Sequence, residues 1–182
     1  DEQIIKKELN NSRVDFIKVD ILHTTEVITN EDKPVNGIKN KKDSSMVKGF
    51  ELLRNGDADS FISAGNTGAL LAGSLLRVGR IKGIDRPALA PVYPTRKGFS
   101  LLVDAGANTD CSTKNLYQFA IMGSIYLKSV LNISNPRIGL VSNGTEQGKG
   151  SKLVKDTYEV LKRSDLNFVG NIEARDIPSG VV

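Results

Sequence analysis

Hydrophobic and polar positions follow two periods along this 182-residue chain. Short apolar runs have the spacing of strands, and longer stretches have the 3.6-residue spacing of helices. Residues 14–19 (VDFIKV) alternate as a strand does. A helix is predicted from Asp43: Asp43 or Ser44 caps it, Met46, Val47, Phe50, Leu52 and Leu53 form its apolar face, and Gly56 ends it. A strand at 60–63 runs straight into Ala64-Gly65-Asn66-Thr67-Gly68, and the helix that follows places Leu70, Leu71, Leu75, Leu76 and Val78 on one buried face. Residues 87–92 and 99–103 read as buried strands, the second ending in DAGAN at 104–108. Residues 116–131 are apolar nearly all round, which predicts a helix packed on more than one side. A strand at 137–141, a helix at 151–163 and a strand at 167–172 complete the series, and the Lys-, Asn- and Pro-rich stretch 30–41 reads as a flexible insert.

Strands alternating with helices predict an α/β fold whose mostly parallel sheet is covered by helices, as one domain over residues 1–182. Composition fits a chain with a core: 39% of residues are hydrophobic and 25% charged, which excludes a disordered tail or a collagen-like rod. No apolar run has the length of a spanning helix, and no basic-then-apolar signal pattern opens the chain. The single cysteine, Cys111, has no internal disulfide partner, and no Cys-x-x-Cys or His-rich cluster suggests zinc, so no metal is expected and a reducing cytoplasm is the default. The chain starts at Asp1 and stops at Val182 just after an apparent turn, which reads as the central part of a longer protein.

The formal charge of +4 is uneven. Residues 1–60 hold 10 basic and 12 acidic groups, whereas residues 61–182 hold 15 basic and 9 acidic. That balance suits an anionic ligand, and aromatics at 5% with no Trp argue against a nucleic-acid surface.

Three predicted strand exits carry Gly, Asn, Thr, Asp or Glu just before a helix, where ligands bind in open parallel sheets. At the first, Ser63, Gly65, Asn66, Thr67 and Gly68 form a glycine turn at a helix start; its amides suit an anion such as phosphate, while Asn66 or Thr67 serve equally as a plain helix cap. It is neither a Walker loop nor a G-x-G-x-x-G turn. At the second, Asp104 and Asn108 put a carboxylate and an amide at the pocket rim, to orient a substrate or simply to close an Asx-type turn. At the third, Gly144, Thr145 and Glu146 are followed by Lys149 and Lys152, cations that suit phosphate or a phosphorylated thiol arm; a surface turn is the rival reading. The run Lys41-Lys42-Asp43-Ser44-Ser45, with two cations and two hydroxyls at another helix start and Lys42 and Ser44 as its candidate ligands, makes a fourth piece or a basic solvated turn. Cys111 has no catalytic partner nearby and His23 is the only histidine, so any reaction here uses a nucleophile brought by the substrate.

Seven blocks, KKDSSM (41–46), SAGNTGAL (63–70), GRIKGIDRPALAP (79–91), DAGAN (104–108), QFAIMGSIY (118–126), NPRIGL (135–140) and GNIEARD (170–176), closely resemble the PlsX-type phosphate acyltransferases of bacterial phospholipid synthesis. The match is collinear from about His23 onward. The resemblance implies transfer of a fatty acyl group from acyl carrier protein to inorganic phosphate, giving acyl phosphate for a membrane glycerol-3-phosphate acyltransferase. It also implies the three-layer α/β/α fold of phosphotransacetylases and isocitrate-type dehydrogenases, a homodimer, and a cytoplasmic protein peripheral to the inner face of the membrane. No cofactor is implied beyond the phosphopantetheine thioester that the substrate carries. On this reading amides at 65–68 and 144–145 cradle phosphate, Lys149 and Lys152 offset its charge, and Asn66, Asp104, Asn108 and Glu146 orient groups. Family members are longer at both ends, the stretch 94–99 is shorter than usual, and Ser142-Asn143 replaces a more usual Asn-Ile pair. A phosphotransacetylase acting on a coenzyme A thioester, a metal-dependent dehydrogenase, and a non-catalytic module binding acyl carrier protein are the alternatives.

Overall fold

The computed structural model of the chain describes residues 1–12 and 18–182, so most of the strand expected at 14–19 lies outside the described residues. The chain contains both helices and strands and divides into two compact units, Asp1–Ile81 and Lys82–Val182.

The first unit is helical. Helix α1 (Glu2–Asn11) starts at Asp1, whose carboxylate accepts from the Gln3 and Ile4 amides, and it buries none of its residues. Helix α2 (Pro34–Asn40) occupies the stretch expected to be a flexible insert. Pro34 presets the helical φ at its first position, Ile38 is fully buried, and Lys41 beyond its end pairs with Asp32 at 2.6 Å. An anchor of this kind turns a polar, Pro-containing segment into an ordered element. Helix α3 (Ser45–Asn55) follows its sequence signals closely: the Ser44 side chain accepts from the Val47 amide, and Gly56 closes the helix with φ +81°.

Helix α4 (Thr67–Gly73) is shorter than the periodicity predicts and continues as a π-helical turn, Ser74–Val78. The expected apolar face is not buried beyond Gly73: Leu75, Leu76 and Val78 are 39%, 49% and 47% exposed. The residues that are buried are Ala69 and Gly73, one turn apart. A Cβ at Gly73 would collide with the Phe50 ring, so small residues let α4 approach α3 closely, and the wider turn that follows carries the leucines off that face. Ile38, Met46, Val47, Phe50 and Ala69 form the core, with Phe61 edge-on to Phe50 at 5.2 Å. The strand expected at 60–63 makes no ladder: Phe61 points into this core and Ile62 is 93% exposed.

In the second unit, β1 (Val92–Thr95) and β2 (Gly98–Leu101) pair antiparallel across a two-residue turn. Only Val92 of the strand expected at 87–92 joins this ladder. Pro87 and Pro91 lack the N–H a ladder needs, so 87–91 instead runs beside 102–105 through Leu102 N–H to Pro91 O at 3.1 Å and Ala105 N–H to Leu89 O at 2.9 Å. Helix α5 (Thr113–Ser129) opens with a capping box between Ser112 and Asn115. It buries Asn115, Gln118, Phe119 and Ser124 and leaves Ile125 and Tyr126 more than 40% exposed, so its apolar circumference is not covered on every side. Strands β3 (Ile138–Ser142) and β4 (Phe168–Glu173) pair in parallel, joined by helix α6 (Lys152–Lys162) with Ser151 as its cap. This βαβ arrangement is the part of the predicted parallel sheet that forms a ladder among the described residues.

Candidate functional site

The three turns read as parallel-strand exits have different surroundings. The turn at 142–150 alone leaves a ladder-forming parallel strand; 104–108 follows the antiparallel hairpin, and 63–68 follows a segment without a ladder.

In the first unit the polar groups of the 63–69 turn are used locally. Ser63 Oγ accepts from the Gly65 amide at 3.1 Å, and Asn66 Oδ1 accepts from the Ala69 amide at 2.9 Å. Asn66 Nδ2 donates to the carbonyls of Thr29 (3.1 Å) and Asp32 (3.3 Å), which ties the turn to the segment before α2. Asn66 is therefore a helix cap and a strut. Gly68 is demanded by packing, since a Cβ there would lie 2.7 Å from Pro34 Cγ. Thr67 is exposed at the first helical position, where the first-turn amides of α4 emerge.

Lys41, a cation of the 41–45 run, is paired with Asp32, which carries no sequence motif and whose carbonyl accepts from Asn66 in this turn. The Asp32 carboxylate accepts from the Thr29 amide (2.7 Å), the Thr29 hydroxyl (3.1 Å) and Lys41 Nζ (2.6 Å), and Lys41 also donates to Val27 O at 2.7 Å. The Lys41 ammonium, followed by the Thr29 amide, holds the Asp32 carboxyl below the usual range. Asp43 is lowered in the same way by the Thr25 hydroxyl and amide. Ser44 is fully buried and capped into α3, donating to Lys41 O at 2.7 Å, whereas Lys42 is exposed. Lys42 and Ser44 thus face different surroundings, and Ser44 has a structural task. His23 is exposed, with Nδ1 accepting from the Glu2 amide at 3.2 Å.

In the second unit Asp104 and Asn108 are brought together. The Asp104 carboxylate accepts from the Leu89 amide (2.6 Å), the Asn108 amide (2.8 Å) and Asn108 Nδ2 (3.2 Å), and Nδ2 also donates to Pro87 O at 2.9 Å. The carboxylate closes the 104–108 turn, as one of the two sequence readings expected, but across four residues rather than the two of an Asx turn, and it also pins the proline-bearing segment 87–91. Cys111 Sγ sits 3.9 Å from Asn108 O, and burial, then the Asp104 charge, push its thiol pKa up. A thiol held protonated in this way is a poor nucleophile. Asp104, Asn108 and Cys111 line a cavity of about 620 Å³ whose other walls are mostly apolar.

The 142–150 turn folds back on itself. Gly144 is buried, and a Cβ there would lie 2.9 Å from both Glu146 Oε2 and Lys149 Cγ, so these two side chains close over it. The Lys149 amide donates to Glu146 O at 3.0 Å, and Gly150 turns the chain into α6 with φ +94°. Thr145, Glu146 and Lys149 are exposed. Lys152 lies in the first turn of α6 and pairs with Asp156 at 2.7 Å. Asn171 on β4 was not singled out individually, though it stands inside the GNIEARD block: it is buried, donates Nδ2 to Glu146 O at 2.9 Å, and leaves Oδ1 buried without a partner. Among the described residues no cluster of three or more His, Cys, Asp or Glu could hold a metal ion, and no helix is long and apolar enough to cross a membrane.

Comparison with known proteins assigns the family. A family model described as fatty acid synthesis protein matches residues 1–182. A phosphate acyltransferase of Thermoanaerobacterium thermosaccharolyticum is 59% identical over 161 residues, covering 88% of this chain and 48% of that protein. One of Alkaliphilus oremlandii is 56% identical over 179 residues, covering 98% and 53%, and one of Clostridioides difficile is 54% identical over 178 residues, covering 97% and 52%. The chain thus spans about half the length of these curated relatives. With the motif blocks, the matching family model and these identities in agreement, the chain belongs to the fatty acid synthesis protein family of PlsX-type phosphate acyltransferases.

Proposed function

We propose that the protein carrying this chain transfers a fatty acyl group from acyl carrier protein to inorganic phosphate and releases acyl phosphate. A phosphate oxygen attacks the thioester carbonyl, the C–O bond forms as the C–S bond breaks, and the phosphopantetheine thiol leaves with the proton. The observation that carries this reading is the 142–150 turn: it leaves a parallel strand, folds Lys149 over buried Gly144 and opens the N-terminus of α6. There the amides of Gly144 and Thr145 hold phosphate while Lys149 and Lys152 offset its charge. Asp104 and Asn108 shape the wall of the apolar cavity, and the turn at 63–68 offers its Thr67 and Gly68 amides to an anionic group of a substrate. The raised thiol pKa of Cys111 supports a nucleophile that comes from the substrate.

The wider setting goes with this reading: a three-layer α/β/α fold with a mostly parallel sheet, a homodimer in the cytoplasm at the inner membrane face, and delivery of acyl phosphate to a membrane glycerol-3-phosphate acyltransferase. The test is acyl phosphate formation by the full-length protein from carrier-protein thioesters and phosphate. Lys149→Glu is expected to raise the KM for phosphate far more than the KM for the thioester. Failure to form acyl phosphate at any chain length sinks the reading, and equal effects on both KM values remove Lys149 from its role.

A further inference from the structure

The second unit carries a partly open cavity of about 620 Å³, within the range of roughly 300–1,000 Å³ that takes organic ligands. Leu101 of the hairpin, Phe119 and Leu127 of α5, Leu140 of β3 and Leu161 of α6 are among its walls. Two features connect it with the chemistry above. Asp104, Asn108 and Cys111 form part of its polar lining, and Val141 and Leu153, which flank the 142–152 segment on either side, are also on its wall. The cavity therefore touches the residues that precede and follow the segment assigned to phosphate, while residues 142–152 themselves are not on its wall.

A glycine supplies an independent observation. Gly123 lies in the interior of α5, where glycine is disfavoured relative to alanine, and it lines the cavity. At Gly73 packing forbids a side chain, because a Cβ would strike Phe50. At Gly123 packing does not: a Cβ would lie 3.4 Å from Val103 Cγ2 and 3.8 Å from Leu101 Cδ2, ordinary van der Waals contacts. Glycine at 123 keeps volume in the cavity that a side chain would occupy.

We propose that this cavity receives the hydrocarbon chain of the acyl substrate and that Gly123 limits the chain length it accepts. The inference rests on the acyl-transfer reading and adds to it the place of the chain and the residue that measures it. An apolar wall suits a chain without polar atoms, and the thioester carbonyl then emerges beside the Asp104–Asn108 turn, which lines the cavity.

The experiment uses the full-length protein with short, medium and long saturated acyl thioesters of the carrier protein, and, separately, fluorescence titration with the polyene fatty acid cis-parinaric acid. Gly123→Leu is expected to lower kcat/KM for the long chain by about tenfold or more relative to the short one, the scale of discrimination that a methylene-sized change brings in an apolar pocket. It is also expected to weaken parinaric acid binding. Gly123→Ala, whose Cβ fits, is expected to shift both in the same direction by less, and it carries the test should the leucine variant not fold. An unchanged ratio of long-chain to short-chain kcat/KM in the folded variants overturns the proposal. If the unsubstituted protein forms no acyl phosphate from any thioester while Gly123→Leu still weakens parinaric acid binding, the acyl-transfer reading falls and the chain pocket stands.

Discussion

Asp104 shows how one side chain holds a site wall in place. Its carboxylate satisfies the amides of Leu89 and Asn108 as well as the Asn108 side chain, so removing it leaves the part-buried Asn108 amide without its acceptor and unties Leu89, while Asn108 Nδ2 keeps Pro87 O. Asp104→Ala is expected to destabilise the protein by about 2–3 kcal/mol, the scale of lost charge-assisted hydrogen bonds, measured by urea unfolding. Asp104→Asn, which keeps an acceptor oxygen, is expected to cost less. A stability unchanged in both variants would show that the knot does not matter to the fold. At this scale residue types were legible in the sequence, and their partners were not. Asn66 and Ser44 stood out as polar residues at helix starts, and both prove to be caps. Asn171 and Asp32 escaped notice because each acts on a group distant in sequence, 25 residues away for Asn171 and 9 for the Asp32–Lys41 pair, and Lys41, legible as a cation of the 41–45 run, spends its charge on Asp32.

Among the elements, helices with local stop and start signals match their predictions most closely. Helix α3 is the clearest case: Ser44 begins it and Gly56 ends it, as its sequence states. Ser44→Ala is expected to cost about 1 kcal/mol, read as a lowered Tm, because the Val47 amide loses its cap inside a buried site. A change within error would mean that water replaces the hydroxyl. Helix α6 and strands β3 and β4 were equally legible, since a βαβ unit combines both periods within a short stretch. Predictions failed where a long-range partner decides. Residues 34–40 became a helix because Ile38 found the Phe50 core, and 60–63 and 87–91 make no ladder although their patterns are strand-like. In the second case prolines remove donors; in the first no strand lies alongside among the described residues.

On the scale of the whole molecule, the carboxyls whose pKa folding lowers lie in the first unit. There Asp32 and Asp43 carry carboxyls whose pKa is lowered on folding, chiefly by the Lys41 and Thr25 hydrogen bonds respectively. A lowered folded-state pKa contributes stability that is present above the ordinary carboxyl value and lost as pH falls through the folded one. Acidification below about pH 4 is therefore expected to loosen the first unit, and Asp32→Asn to flatten that dependence, followed by amide hydrogen exchange across a pH series. An equally steep acid response in the variant would show that the Asp32–Lys41 pair does not carry it. Charge, composition and motif order, all properties of the chain written out in a line, were enough to assign the family and to mark the glycine turns. Caps and βαβ periodicity were also readable, because they depend on neighbours a few residues apart. Folding alone decided that 34–40 is an anchored helix, that Asn66 and Asp104 spend their hydrogen bonds on distant backbone, and that an apolar cavity lies against the 104–108 turn. Each of these depends on groups far apart in the chain coming into contact, and such contacts exist only once the core has closed.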